Sequence, residues 1–158
     1  FHAMRLKSAI DIAVREALPL IHVFQPEYNL VSRHRFEGEL QNFCIEHNIA
    51  VTPYYGLASG FLTGKYRSRD DLSKSVRGGG MAELLEGKGA AVLAAMDTVA
   101  AETGATLAQI ALAWLAAQPG VTAPIASATS VEQVEELTGS WDLDLSKDQL
   151  ERLTNAGA

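Results

Sequence analysis

Residues 54–66 read YYGLASGFLTGKY and leave an apolar run that covers residues 49–54. Glycines let a backbone pass close to a ligand and adopt positive φ angles, while backbone amides and Lys65 can bind an anion. An aromatic residue at the end of the run, Tyr54, offers a face for a planar ring. These features predict a site for a phosphate-bearing cofactor. The alternative is an ordinary glycine-rich loop between a strand and a helix.

The composition of the chain excludes several classes of protein. Its 158 residues are 47% hydrophobic, which is enough to build one domain with a core. The net charge is −6 and the basic residues do not gather into a stripe, so we expect no nucleic-acid partner. No apolar run approaches the ~20 residues that span a bilayer, so we expect no membrane partner.

The cysteine and histidine content bears on compartment and metal binding. The single cysteine, Cys44, excludes an intrachain disulfide and fits a reducing, cytoplasmic compartment. Cys44 lies at helical spacing from Leu40, so we predict that it is buried in packing. The four histidines have no metal-ligand spacing with one another or with carboxylates, so we expect no metal site.

Apolar residues at intervals of three and four predict helices over residues 4–17, 36–47 and 92–100. Three more helices are predicted to begin at capping boxes, in which a hydroxyl residue precedes a glutamine by three positions. The hydroxyl residues of these boxes are Thr106, Ser130 and Ser146.

Short runs rich in branched and aromatic residues predict strands at residues 20–25, 49–54 and 123–127. The polar, glycine-rich residues 67–89 predict an excursion loop, either a lid or a disordered segment. Helix-bearing crossovers separate the strands, so the fold class is α/β with parallel strands and helices outside the sheet.

Three parallel strands cannot close a barrel, which takes eight strands and ~250 residues. The chain also begins with Phe1 rather than methionine. We therefore expect part of a larger structure. Its exposed inner face would associate with the remaining half or with a second copy of the chain.

Four segments together resemble the C-terminal half of an aldo-keto reductase, a (β/α)8 TIM-barrel oxidoreductase with a nicotinamide cofactor. They are residues 25–30 (QPEYNL), 54–66, 108–115 (AQIALAWL) and 124–133 (PIASATSVEQ). The resemblance implies that residues 1–158 form a partial barrel domain whose three strands are barrel strands 6–8. The family's catalytic tetrad comes from earlier strands, so we expect no catalytic residue in this chain.

The resemblance implies a role for individual residues. Gln25 would hydrogen-bond the nicotinamide carboxamide, and Tyr54 would stack on the nicotinamide ring. The alternative for Gln25 is a polar residue at a strand end, and the alternative for Tyr54 is a core tyrosine with a satisfied hydroxyl. For Lys65 the alternative is a solvated surface lysine. The loop over the pyrophosphate would consist of Leu57, Ser59, Gly60, Leu62 and Lys65. The turn that takes the adenosine 2′-phosphate would contain Ser127, Ala128 and Thr129, with Gln133 and Glu136 near the adenine.

The implied cofactor is NADP(H), with NAD(H) as the alternative. No basic residue occurs between Ala123 and Asp144, whereas a 2′-phosphate usually has a cationic partner. Leu137 also stands where an adenine-binding asparagine is common in the family. Hydroxyls and helix amides can bind phosphate without a cation, so NADP(H) is the expectation.

The function implied for the intact protein is NAD(P)H-dependent reduction of aldehydes and ketones to alcohols. The partner would be a small-molecule carbonyl substrate. One alternative is a non-catalytic binding or regulatory protein, as in the potassium-channel β subunits that resemble this family. Another is a truncated half that is inactive by itself.

Overall fold

The computed structural model describes residues 2–74 and 78–158. Most of the described chain is helical, and the strands are short. The strands are β1 (Val23–Phe24) and β2 (Ala50–Val51). The helices are α1 (Ala3–Arg15), α2 (Glu39–Glu46), α3 (Ala82–Glu86), α4 (Lys88–Thr103), α5 (Leu107–Ala116), α6 (Val131–Thr138) and α7 (Lys147–Ala156).

The two strands are parallel, as predicted. Val23 pairs with Ala50, and the pairing continues beyond both strands. The Tyr54 amide donates to the Pro26 carbonyl at 2.9 Å, and Glu27 lies opposite Tyr54 in the same parallel sense. Both strands are shorter than the predicted 20–25 and 49–54, and isolated pairing continues from them to Glu27 and Tyr54.

A third extended segment lies on the other side of β2. Val121 pairs in parallel with β2, and the Ile125 amide donates to the Pro53 carbonyl at 3.0 Å. The predicted third strand at 123–127 is therefore replaced by isolated pairings that begin two residues earlier. Pro124 has no amide to donate, which interrupts a continuous ladder.

Two helices are shorter than predicted because left-handed residues lie at their ends. α1 ends at Arg15 because Ala17 has a φ of 52°, and the following Leu18 amide donates to the Ala13 carbonyl at 2.8 Å. α2 begins three residues late because Gly38 has a φ of 89°, which no helical residue adopts.

The helix starts agree well with the capping boxes. The boxes at α5 and α7 are confirmed, since each hydroxyl accepts from the glutamine amide and each glutamine side chain accepts from the cap amide. The box at α6 is half formed: Ser130 accepts from the Gln133 amide, while the Gln133 side chain bonds elsewhere.

The predicted excursion loop at 67–89 is wrong over much of its length. It contains 3₁₀ turns at Arg69–Lys74 and Gly78–Met81, then α3 and the start of α4. Alanine, leucine and glutamate are strong helix formers, and they make up α3. Residues 75–77, which the same prediction covers, lie outside the described residues.

The core centres on aromatic side chains between α5 and the segment after β1. Tyr28, Phe36 and Trp114 are fully buried. The ring centroids of Tyr28 lie 5.0 Å from Phe36 and 5.7 Å from Trp114. Cys44 is also fully buried, as predicted, and burial raises the pKa of its thiol.

Among the residues that the structure describes, no single helix is long and apolar enough to cross a membrane. In this part of the chain, α4 and α5 reach that length and apolar composition only when they are taken together, and a bend of 98° separates them.

Candidate cofactor site

Gln25 and Tyr54 lie on one open face of the sheet. Val23 stands opposite Ala50, so Gln25, two residues further along, belongs to the same face. Tyr54 stands opposite Glu27, which is on this face as well. Val23 is 56% exposed and Tyr54 is 43% exposed. The two residues predicted to hold a nicotinamide are therefore neighbours on one solvent-facing surface, at the carboxyl ends of parallel strands.

The loop that follows Tyr54 is built from left-handed residues. The φ angles of Tyr55, Ala58 and Ser59 are 66°, 48° and 53°, and that of Gly60 is 86°. Left-handed non-glycine residues are uncommon and gather at functional sites. Backbone amides in such conformations form concave nests that bind anions. The glycines at 60 and 64 adopt the positive φ angles that the sequence allows, whereas the left-handed Tyr55, Ala58 and Ser59 were not predicted. The Ala58, Gly60 and Leu62 amides donate to carbonyls within the loop, so a ligand would compete with these bonds.

Lys65 folds back over Gly60. A Cβ built at Gly60 would lie 2.8 Å from both Cε and Nζ of Lys65. The Lys65 Nζ is 4.9 Å from the centre of the Tyr66 ring. Glycine at position 60 thus satisfies two demands, a positive φ and the path of the lysine. The Lys65 ammonium therefore lies beside the left-handed backbone at Gly60, and both would act on an anion bound at that point.

The underside of the loop is anchored in the core. Ala58, Phe61 and Leu62 are fully buried. Leu62, predicted to contact the cofactor, thus presents its side chain to the core and only its backbone to the loop. Of the other predicted loop residues, Leu57, Ser59 and Gly60 are half-buried and Lys65 is exposed.

Near the start of α6, the Thr129 and Gln133 amides are bonded to side chains of the same segment. The Thr129 amide donates to the Gln133 Oε1 at 2.8 Å, and the Thr129 hydroxyl reaches the same oxygen at 3.2 Å. Hydrogen bonds from Ser130 and from its own backbone amide lower the pKa of Glu132. Thr129 and Gln133, two predicted cofactor residues, are therefore bonded to each other, and a ligand there would have to replace these bonds.

The remaining predicted residues lie on the same stretch of chain. Ser127 is exposed, and Ala128 and Glu136 are half-buried. The two loops meet at Gly56, where an added Cβ would lie 3.1 Å from the Leu115 side chain and 3.8 Å from the Ile125 carbonyl. This close packing on α5 brings the loop after β2 next to the segment that leads into α6.

A cavity of about 690 Å³ lies between α5, α6 and the segments at 124–128 and 140–145. Its walls are mainly apolar and include Leu112, Val134 and Trp141. Ala128 is the one predicted cofactor residue among those lining it. The cavity therefore lies beside the candidate site without forming it.

Sequence reasoning missed a partly buried polar network behind the site. The Tyr28 hydroxyl donates to Glu37 Oε1 at 2.7 Å. Arg33 donates to both oxygens of Glu37, at 2.7 and 2.9 Å, and to the Thr154 carbonyl on α7. The i, i+4 spacing of Arg33 and Glu37 was the available signal.

Two pKa values in this network are shifted. Burial disfavours the charged form of Glu37, but hydrogen bonds from Arg33 and Tyr28 outweigh it and hold the pKa below 4.5. Burial and the hydrogen bond to Glu37 raise the pKa of Tyr28. The network therefore holds an ionised carboxylate against a neutral phenol.

Sequence reasoning also left Asn29 without a role. Its side chain is 1% exposed and its Nδ2 donates to the Tyr55 carbonyl at 3.0 Å. A lone amide between an aromatic and an aliphatic residue, Tyr28 and Leu30, was the signal that could have found it.

Comparison with known proteins identifies the family to which this chain belongs. A model of the Aldo/keto reductase family matches residues 3–158. A probable voltage-gated potassium channel subunit beta of Arabidopsis thaliana is 37% identical over 123 residues, covering 72% of this chain and 36% of the relative. An uncharacterized oxidoreductase of Mycobacterium tuberculosis is 36% identical over 125 residues, covering 75% and 36% respectively.

L-glyceraldehyde 3-phosphate reductase of Escherichia coli O157:H7 is 28% identical over 138 residues, covering 84% of this chain and 40% of the relative. The chain thus spans less than half the length of these relatives. The family match covers nearly the whole chain and includes both strands, the left-handed loop and α6. The chain therefore belongs to the aldo/keto reductase family.

Proposed function

We propose that this chain supplies the cofactor-binding part of an NAD(P)H-dependent oxidoreductase that reduces aldehydes or ketones to alcohols. One observation carries the proposal. Gln25 and Tyr54 share an exposed sheet face, directly ahead of a loop in which Lys65 folds over left-handed backbone. Family membership and the reductase names of several relatives support it.

The chemistry of the donor set fits a nicotinamide dinucleotide. The bound cofactor would supply the hydride. The amide of Gln25 can donate to and accept from a carboxamide, and the ring of Tyr54 offers an aromatic face. The left-handed loop and Lys65 would hold the pyrophosphate. The proton donor and the other catalytic groups are assigned to parts of the intact protein outside this chain.

For the adenosine end we propose NADP(H), as the sequence predicts, with NAD(H) as the alternative. Ser127, Thr129 and the amides at the start of α6 would bind the 2′-phosphate. Gln133 and Glu136 would lie near the adenine. The bonds between Thr129 and Gln133 at 2.8 and 3.2 Å would open on binding.

The open sheet face supports a partner as well as a ligand. Val23, Tyr54 and Ile125 are between 40% and 56% exposed. We propose that the remaining half of the barrel, or a second copy of this chain, covers this apolar surface in a cytoplasmic protein. The intact assembly would then admit a small-molecule carbonyl substrate beside Tyr54.

A second candidate function is a binding or regulatory protein on the same scaffold. It is favoured by the Arabidopsis thaliana and Oryza sativa relatives, which are both named as probable channel β subunits. Both candidates require the cofactor site. Turnover of a carbonyl substrate by the intact protein would favour the reductase, and cofactor binding without turnover would favour the regulatory protein.

The test of the cofactor site is a titration of the protein with NADPH in which the fluorescence of NADPH is measured. Tyr54→Leu keeps apolar bulk but loses the aromatic face, so we expect about fivefold weaker binding. Gln25→Ala should weaken binding in the same direction. Trp141→Leu is the matched control, because Trp141 is 83% exposed and lies outside the site. Absence of binding by the unmodified protein would refute the proposal.

A further inference from the structure

Asn29 links the segment after β1 to the loop after β2. Its Oδ1 accepts from the Val31 and Ser32 amides, each at 2.9 Å. Its Nδ2 donates to the Tyr55 carbonyl at 3.0 Å. The amide orientation is fixed by this network, because two N–H donors face the oxygen and a carbonyl faces the nitrogen. The Asn29 side chain is only 1% exposed.

The link ends on a strained residue. Tyr55 has a φ of 66°, a conformation that L-residues with a Cβ adopt only where their surroundings enforce it. The preceding residue, Tyr54, is tied to the same segment: its amide donates to Pro26 at 2.9 Å, and its carbonyl accepts from Tyr28 at 3.4 Å. Asn29 extends this pairing by one residue, past the point where the backbone turns left-handed.

We propose that Asn29 is a positioning residue for the nicotinamide end of the cofactor. It acts through the backbone of Tyr55, which sets where the Tyr54 ring stands on the open face. The inference rests on the proposed function, since it gives Tyr54 a ring to stack on. Asn29 itself is buried and touches no ligand.

The position of the Tyr54 ring depends on its backbone more than on its surroundings. The side chain is 43% exposed, so neighbouring side chains restrain it only in part. Loss of the Asn29 link would let the left-handed turn relax and the ring move. Small displacements of positioning groups cost up to about a hundredfold in function. A tenfold loss at the nicotinamide end is the expected size.

The test uses two fragments of the cofactor as separate probes. Reduced nicotinamide mononucleotide reports on the nicotinamide end, and 2′-phospho-ADP-ribose reports on the adenosine end. Asn29→Asp retains an acceptor for the Val31 and Ser32 amides but loses the donor to Tyr55. Asn29→Ser is a milder second variant: its hydroxyl can still cap nearby amides, but its side chain is too short to span the link.

Calorimetric titration of the whole chain should show about tenfold weaker binding of the mononucleotide to both variants. Binding of 2′-phospho-ADP-ribose should be unchanged. The matched control is Tyr28→Phe, which removes the bond to Glu37 from the same segment and leaves Tyr55 untouched. This control should bind both probes as the unmodified chain does. If Asn29→Asp fails to fold, Asn29→Ser carries the test.

Three results would overturn the inference. Unchanged mononucleotide binding by the folded variants would show that Asn29 does not position the ring. An equal loss for both probes, in step with a lower melting temperature, would show a structural role only. Binding of neither probe nor NADPH by the unmodified chain would refute the proposed function and this inference with it.

Discussion

At the scale of single residues, Gly60 combines a positive φ angle with a close approach of the Lys65 side chain. Its φ is +86°, and an added Cβ would lie 2.8 Å from the end of Lys65. Gly60→Ala should therefore cost about 1–2 kcal/mol of stability and displace the lysine. We expect about tenfold weaker NADPH binding, measured by fluorescence titration.

Gly104 provides the control for this substitution. Its φ is +73°, and an added Cβ would meet nothing within 4 Å. Gly104→Ala should lower the melting temperature by a similar amount and leave NADPH binding unchanged. Equal affinities of the two alanine variants would argue against a role for the Gly60–Lys65 arrangement in anion binding.

At the scale of elements, two arginines attach α7 to the rest of the chain, and they should contribute unequally to the unfolding free energy. Arg33 is 15% exposed and joins the Thr154 carbonyl to Glu37, which is 27% exposed. Arg33→Ala would leave the Glu37 carboxylate partly buried, with the hydrogen bond from the Tyr28 hydroxyl still in place. We expect a loss of about 2–3 kcal/mol of unfolding free energy, measured by urea denaturation.

Arg152 on α7 is the comparison. It pairs with Glu102 at the surface, and both side chains are 39% exposed. Because water screens such pairs, Arg152→Ala should cost below about 1 kcal/mol. Similar losses for both variants would mean that the contact of Arg33 with α7 adds little to stability.

At the scale of the whole molecule, stability should fall on acidification. The pKa of Glu37 is lowered from 4.5 in the folded chain. Its contribution is therefore fully present above the unfolded pKa and is lost as the pH falls through the folded pKa. Thermal melts between about pH 3 and about pH 7 should show a shallower acid limb for Glu37→Gln. Coincident limbs would contradict this assignment.

The open sheet face predicts self-association of the isolated chain. Val23 is 56% exposed on that face, and contiguous apolar patches drive association. Val23→Lys should shift the sedimentation profile towards monomer. Val131→Lys, at a 69% exposed position on α6, should leave the profile unchanged. A profile that is monomeric for the unmodified chain would refute a second copy of the chain as the occupant of this face.

Local chemistry made parts of this structure predictable. The glutamines at 109 and 149 mark the starts of α5 and α7, because a capping box needs only two residues three positions apart. The positive φ angles at Gly60 and Gly64 follow from glycine, whereas those at Tyr55, Ala58 and Ser59 do not follow from the residue types. The third strand was predicted too long because Pro124 has no amide to donate to the ladder. Residues 67–89 were less predictable because the burial of Met81 depends on packing with distant elements.

The bond from Arg33 to Thr154 joins residues that are far apart in the chain. Trp114 is also bonded to α7, since its Nε1 donates to Thr154 Oγ1 at 3.0 Å. During synthesis, neither bond can form until the last helix has left the ribosome. The segment that positions Tyr54 is therefore among the last parts of this chain to reach its final shape. A nascent chain that lacks α7 would contain the residues of the site but not the bonds from Arg33 and Trp114 to Thr154.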